Sequence, residues 1–126
     1  MEPAGGCVLI SCAAGSHVNA HEIAAVLVSE RVVACVHVMP VESHYHWQGA
    51  LHHEPEFLIQ AKTTIGQVAA AEALIKRLHT YELPGIDVVP ITGGSAEYLA
   101  WIAESVGPAG TRCTDPDCGR NDPKLA

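Results

Sequence analysis

The sequence predicts an α+β fold in which two β-α-β units share one antiparallel sheet, and three observations lead to it. Short runs rich in aliphatic and β-branched residues at 7–13, 32–47, 50–63 and 86–91 are interleaved with segments whose apolar residues recur at helical spacing. The two middle runs follow one another directly, joined by Gln48-Gly49, so they form a hairpin. The 126 residues suffice for one compact domain, and 48% hydrophobic content supports a core without disulfide staples.

The first strand is Cys7-Val8-Leu9-Ile10-Ser11-Cys12-Ala13, apolar enough to be buried on both faces. Ser16 is placed to cap a helix by accepting a backbone N–H, and Ala20, Ile23, Ala24, Leu27 and Val28 form one helical face that ends near Arg31. Val32 to Trp47 reads as a long strand interrupted at Pro40, where the missing N–H predicts a bulge or an edge. Gln48-Gly49 is the tight turn, and the return strand, Ala50 to Thr63, carries a second irregularity at Pro55. Arms of this length reach about 40 Å, more than the chain's own core needs, so the surplus is expected to pair with another subunit.

Ile65, Val68, Ala71, Ile75 and Leu78 predict a second amphipathic helix over 64–79, stopped by Leu83-Pro84-Gly85. Ile86 to Ile91 is the fourth strand, with Pro90 at an edge or end. Ser95 is read as the cap of a last helix carrying Leu99, Ile102 and Val106. The resulting order is that of a ferredoxin-like βαββαβ sandwich with a long hairpin of its second and third strands and an extra C-terminal helix, right-handed crossovers placing both main helices on one face. Residues 1–6 are expected to be a flexible N-terminus, 7–107 the domain, and the Pro-, Gly- and Asp-rich 108–126 a disordered tail.

Seven Lys and Arg against fourteen Asp and Glu leave a net charge of −7. Nucleic acid and anionic membranes are excluded as expected partners, because both require a basic face. The N-terminus lacks the charged and apolar regions of a secretory signal, and no apolar run is long enough to span a bilayer, so the cytoplasm is the expected compartment. The five cysteines are an odd number and are expected to be free thiols there. Five of the eight histidines, His37, His44, His46, His52 and His53, fall within one hairpin.

Ala34-Cys35-Val36 after a helix ending in Ser-Glu-Arg, then Tyr45-His46-Trp47-Gln48-Gly49, Lys62-Thr63 and Leu78-His79-Thr80-Tyr81-Glu82-Leu83-Pro84 closely resemble the signatures of the CutA family of divalent-cation tolerance proteins, in order and spacing. The resemblance runs from about Val8 to Val106. It implies a homotrimer built through the long hairpins, an architecture shared with PII-type signalling proteins, a link to copper and other divalent cations, and no established reaction. Residues suggested for copper in that family match Cys12, Cys35 and His79. His37, Thr80 and the Cys113 to Cys118 tail depart from the family pattern.

Cys12, Cys35 and His79 together would be a soft thiolate–imidazole set suited to copper; the competing reading makes the two cysteines small core hydrophobes, with His79 exposed at a helix end. A two-residue turn sets Trp47 opposite Ala50, His46 opposite Leu51, Tyr45 opposite His52 and His44 opposite His53. His44, His46 and His53 then share one face and could hold zinc or another divalent cation, or could simply make a hydrophilic tip; a one-residue slip would split them. Trp47, Lys62, Tyr81 and Glu82 are candidates to line a cleft between subunits for a small anionic ligand, or to serve a protein partner, with interface packing the alternative for the aromatics. No nucleophile elbow, phosphate loop or Cys-x-x-Cys pair is present, so a non-catalytic protein is expected, with a PII-like sensor or scaffold as the alternative.

Overall fold

The computed structural model describes residues 2–3 and 6–107. Its elements are β1 (Glu2–Pro3), β2 (Cys7–Ala14), α1 (His17–Ser29), β3 (Cys35–Trp47), β4 (Ala50–Thr64), a 3-10 turn (Ile65–Gln67), α2 (Val68–Leu78), β5 (Ile86–Pro90), β6 (Gly93–Gly94) and α3 (Ala96–Ser105). The main sheet has the order β3-β4-β2-β5 with every pair antiparallel, the ferredoxin-like arrangement of two interleaved β-α-β units. Glu2–Pro3 pairs with Gly93–Gly94 in a separate two-residue ladder. The expected tail lies outside the described residues.

Alternation along the strands decides what each face does. Ile10, Cys12 and Ala14 of β2 pack with Ile59 and Ala61 of β4 against Ile23 and Leu27 of α1 and Ala71 and Ile75 of α2; all are buried. On the opposite face Leu9, Ser11 and Ala13 are only half-buried, so β2 is not enclosed on both sides as expected. There α3 covers one end, packing Leu99, Trp101 and Ile102 over Cys7 and Cys35. Ser16 caps α1 as read, its Oγ accepting the Asn19 N–H at 3.1 Å. Ser95 stands at the N-cap of α3 without a side-chain cap bond. Ile65 belongs to the 3-10 turn and is 68% exposed, because the helical phase of α2 starts only at Val68.

The hairpin register is continuous from Trp47↔Ala50 to Cys35↔Lys62, so neither Pro40 nor Pro55 introduces a bulge. Gln48 and Gly49 both have positive φ, the signature of a two-residue type I′ turn. Counting back from that turn, Pro40↔Phe57 and Glu42↔Pro55 fall at positions that exchange no ladder hydrogen bonds, so both prolines are accommodated without losing one. β3 is also the sheet edge, the outcome Pro40 predicted. β2 pairs with β4 only from Phe57 onward, and residues 41–56 therefore stand beyond the domain as a two-stranded ribbon.

Candidate functional site

Where β2 stops at Ala14, Glu56 of β4 has no strand on the side away from β3, and the loop after α2 fills the gap. Tyr81 from that loop donates its hydroxyl to Glu56 Oε2 at 2.7 Å. Gly15 makes the passage possible, since a Cβ there would sit 2.7 Å from the Tyr81 hydroxyl oxygen. Glu56 is only 6% exposed, and burial with the Glu56 carboxylate beside it pushes the Tyr81 phenol well above its ordinary pKa. Tyr45 donates to Glu54 at 3.2 Å, and burial and this carboxylate likewise raise its pKa.

This network floors a groove of about 830 Å³ between the ribbon and the 80–85 loop. Trp47, Tyr45, Tyr81 and Leu83 give it apolar and aromatic walls, and Glu56 and Glu82 supply the charge, with no Lys or Arg among its lining residues. Three of the four cleft residues expected from sequence, Trp47, Tyr81 and Glu82, do meet here. Lys62 does not: it lies six residues along β4 from Glu56, about 20 Å away. Its ammonium donates to the Tyr98 hydroxyl at 3.0 Å, the main cause of its raised pKa.

His79 is buried at 9% exposure rather than exposed, because both ring nitrogens are used internally. Nδ1 accepts the Tyr81 N–H at 3.0 Å, so Nε2 carries the proton and donates it to the Ala13 carbonyl at 2.8 Å. Cys12 is buried in the core on the helix-covered face, and burial, then Asp87 and Glu56, push its thiol up to about 11. Cys35 lies on the other face, across from Lys62 and Leu9 and 3.8 Å from the Tyr98 hydroxyl. The backbones at 12 and 35 are two strands and three residue rows apart, about 14 Å. Within one chain these three residues do not surround a common point, and among the described residues no group of three or more His, Cys, Asp and Glu side chains is positioned to hold a metal.

The hairpin register puts His44 opposite His53 and Tyr45 opposite His52, the pairing the two-residue turn requires. His44 and His53 stack with ring centroids 3.9 Å apart and planes 9° from parallel, and His46 lies on the same face beside Leu51. Glu42, also on that face, reaches within 3.6 Å of His53 Nε2. Sequence reasoning missed Glu56, Tyr45 and Gly15. It also missed His17 and His21 on the first turns of α1, whose rings are 4.2 Å apart; their i, i+4 spacing was the available signal.

The family model of the CutA1 divalent ion tolerance protein matches residues 8–105. A divalent-cation tolerance protein CutA of Thermus thermophilus is 40% identical over 89 residues, 70% of this chain and 86% of the relative. The Citrobacter koseri relative of the same name is 33% identical over 100 residues, 79% and 87% of the two chains. Among solved structures, the Thermus thermophilus protein superposes with a TM-score of 0.78 at 36% identity, covering 80% of this chain and 99% of that one. A CutA from Synechococcus elongatus gives a TM-score of 0.80 at 29% identity, covering 84% and 95%. One from Archaeoglobus fulgidus, described as periplasmic, gives 0.78 at 33%, covering 80% and 99%. With the signature segments, the strand order and these relatives in agreement over the same hundred residues, the chain belongs to the CutA1 divalent ion tolerance family.

Proposed function

We propose that the chain acts as a non-catalytic homotrimer in divalent-cation tolerance, in the cytoplasm, with copper the first ion to consider and zinc the second. The observation that carries the assembly is the sheet face left bare beyond α3. Leu9, Leu58 and Met39 are only half-buried there, Val89 is 49% exposed, and the ribbon 41–56 projects past it. Neighbouring copies packed on that face would bury apolar surface that the single chain leaves in water. A site using Cys12, Cys35 and His79 would then draw Cys35 from a different copy than Cys12, since one chain holds them on opposite faces. The absence of a reaction is supported by the chemistry of Cys12, whose thiol is buried and protonated at neutral pH.

Native mass spectrometry of the reduced chain, alone and with Cu(I) or Zn(II), tests this reading. A trimer that takes up ions is expected; a monomer at micromolar concentration, or a trimer that takes up neither ion, overturns it. A second reading, a PII-like sensor or scaffold, is favoured by the groove alone. Its aromatic walls and two carboxylates suit a cation with an apolar body, an organic amine or a basic side chain of a protein partner, and not the anion expected from sequence.

A further inference from the structure

We propose that the helix-side face of the hairpin ribbon is a binding site for a late first-row divalent cation, Zn(II), Ni(II) or Cu(II), held by His44 and His53 with Glu42 and His46 at its two ends. The two imidazoles occupy the last kind of position where chance would leave them apart. His44↔His53 is a pair without ladder hydrogen bonds, the type in which facing side chains approach most closely, and the rings already lie 3.9 Å apart and parallel within 9°. An ion at about 2.0–2.1 Å from each nitrogen, with an angle between 90° and tetrahedral, needs nitrogens about 2.9–3.4 Å apart. In the stack the ring planes, and so the nitrogen lone pairs, run nearly parallel, and both side chains turn out of it about their own bonds to converge on one ion.

Further donors come from the same face. Glu42 Oε1 is 3.6 Å from His53 Nε2, and the carboxylate sits two residues before His44. His46 follows two residues after, and a hollow of about 270 Å³ at this end is lined by His44, His46, His52 and His53. Imidazole with one carboxylate is a donor set for these ions rather than for calcium or magnesium. No three donors are converged among the described residues, so the third ligand comes in by side-chain rotation, which exposure permits: His53 and Glu42 side chains are 54% and 80% accessible. The turn and the unbroken register hold the two strands together meanwhile. The net charge of −7 adds a general attraction for cations.

This site goes beyond the tolerance reading, because all its ligands belong to one chain and lie on the opposite face from the surface proposed for assembly. It is tested on the full chain carrying Cys113→Ser and Cys118→Ser, so that tail thiols do not report, by calorimetric titration with Zn(II) and Ni(II) and by Ni(II) broadening of histidine ring resonances. One ion per chain is expected, with His44 and His53 signals broadened first. Partners outside the ligand sphere already carry 10–100-fold in affinity, so His53→Ala and His44→Ala should each weaken binding by at least about 100-fold. Glu42→Gln should weaken it by about tenfold, and His17→Ala with His21→Ala should leave it unchanged. Unchanged uptake in the His44→Ala, His53→Ala double variant overturns the site, as does loss in the α1 variant instead, or no uptake by the parent chain. Native mass read on the same samples separates the two proposals: a trimer that still takes up ions in the double variant sinks this site alone, whereas a monomer sinks only the assembly.

Discussion

Replacing Tyr81 by Phe removes one hydroxyl from a contact that the fold has sealed. Glu56 is 6% exposed, and its carboxylate accepts the Tyr81 hydroxyl at 2.7 Å. A hydrogen bond to a charged group is worth about 1.5–3 kcal/mol, and removing the donor leaves the carboxylate to find water in a groove walled by aromatics. Tyr81 is itself partly exposed and the groove is open to solvent, so the expected loss is at the lower end, about 1.5 kcal/mol at pH 7. The pH dependence gives the decisive sign. Burial and the neighbouring carboxylate raise the phenol's pKa in the folded protein above the ordinary value of about 10. The stabilisation is therefore complete below pH 10 and is lost as pH rises through the folded value. Urea denaturation of parent and variant at fixed protomer concentration, at pH 7 and pH 11, measures both. A difference below about 0.5 kcal/mol at pH 7, or one that grows with pH, would refute the reasoning.

Gly15→Ala should act on the same network from the other side: a Cβ 2.7 Å from the Tyr81 hydroxyl oxygen forces the ring away from Glu56, and stability in urea should fall by about 1–3 kcal/mol. Thr63→Val should cost about 1–3 kcal/mol by the same assay, because the fully buried Oγ1 donates to the Val32 carbonyl at 2.6 Å and the carbonyl is left without it. Gln48→Gly should stabilise the hairpin by about 0.5–1 kcal/mol, since Gln48 holds φ at 49°, a region glycine enters freely; an unchanged urea midpoint would contradict the type I′ assignment. Cys12, with its thiol at about 11 and its side chain in the core, should react with a maleimide at pH 7.5 only at the rate of unfolding, measured by mass spectrometry against time in urea.

Local chemistry was legible in the sequence and long-range chemistry was not. Helical spacing found α1, α2 and α3, the Ser16 cap was read correctly, and Gln48-Gly49 alone determined the pairing of eight hairpin residues that the structure shows. Pro40 and Pro55 suggested irregularities because their hydrogen-bonding parity depends on the distance to the turn, which a propensity argument does not count. Glu56 looked like one more polar residue of a strand; its burial comes from Tyr81, 25 residues away in the chain. The buried state of His79 depends on the carbonyl of Ala13, 66 residues away, and no local pattern announces that.

The candidate copper residues show the limit most sharply, because their relation depends on two registers at once. Cys12 pairs with Ile59, and Ile59 with Val38, so the sheet carries the face of Cys12 across to position 38 of β3. Cys35 is three residues from 38, an odd number, and so points to the opposite face. A one-residue slip in either ladder would have put both sulfurs on one face, and nothing in the composition of the strands distinguishes the alternatives. What selects the actual registers is the burial of Ile10, Cys12, Ile59 and Ala61 under α1 and α2, a property of the assembled domain. A slip that brought Cys12 and Cys35 to one face would turn β2 or β3 inside out, exposing Ile10 in the first case, at about 1.5–3 kcal/mol for a fully buried side chain, or Val36 and Val38 of the same core in the second. The hydrophobic core thus holds the two cysteines apart within a chain, and any metal held by both must be shared between copies. His44 and His53, paired by a two-residue turn a few positions away, are under no such constraint.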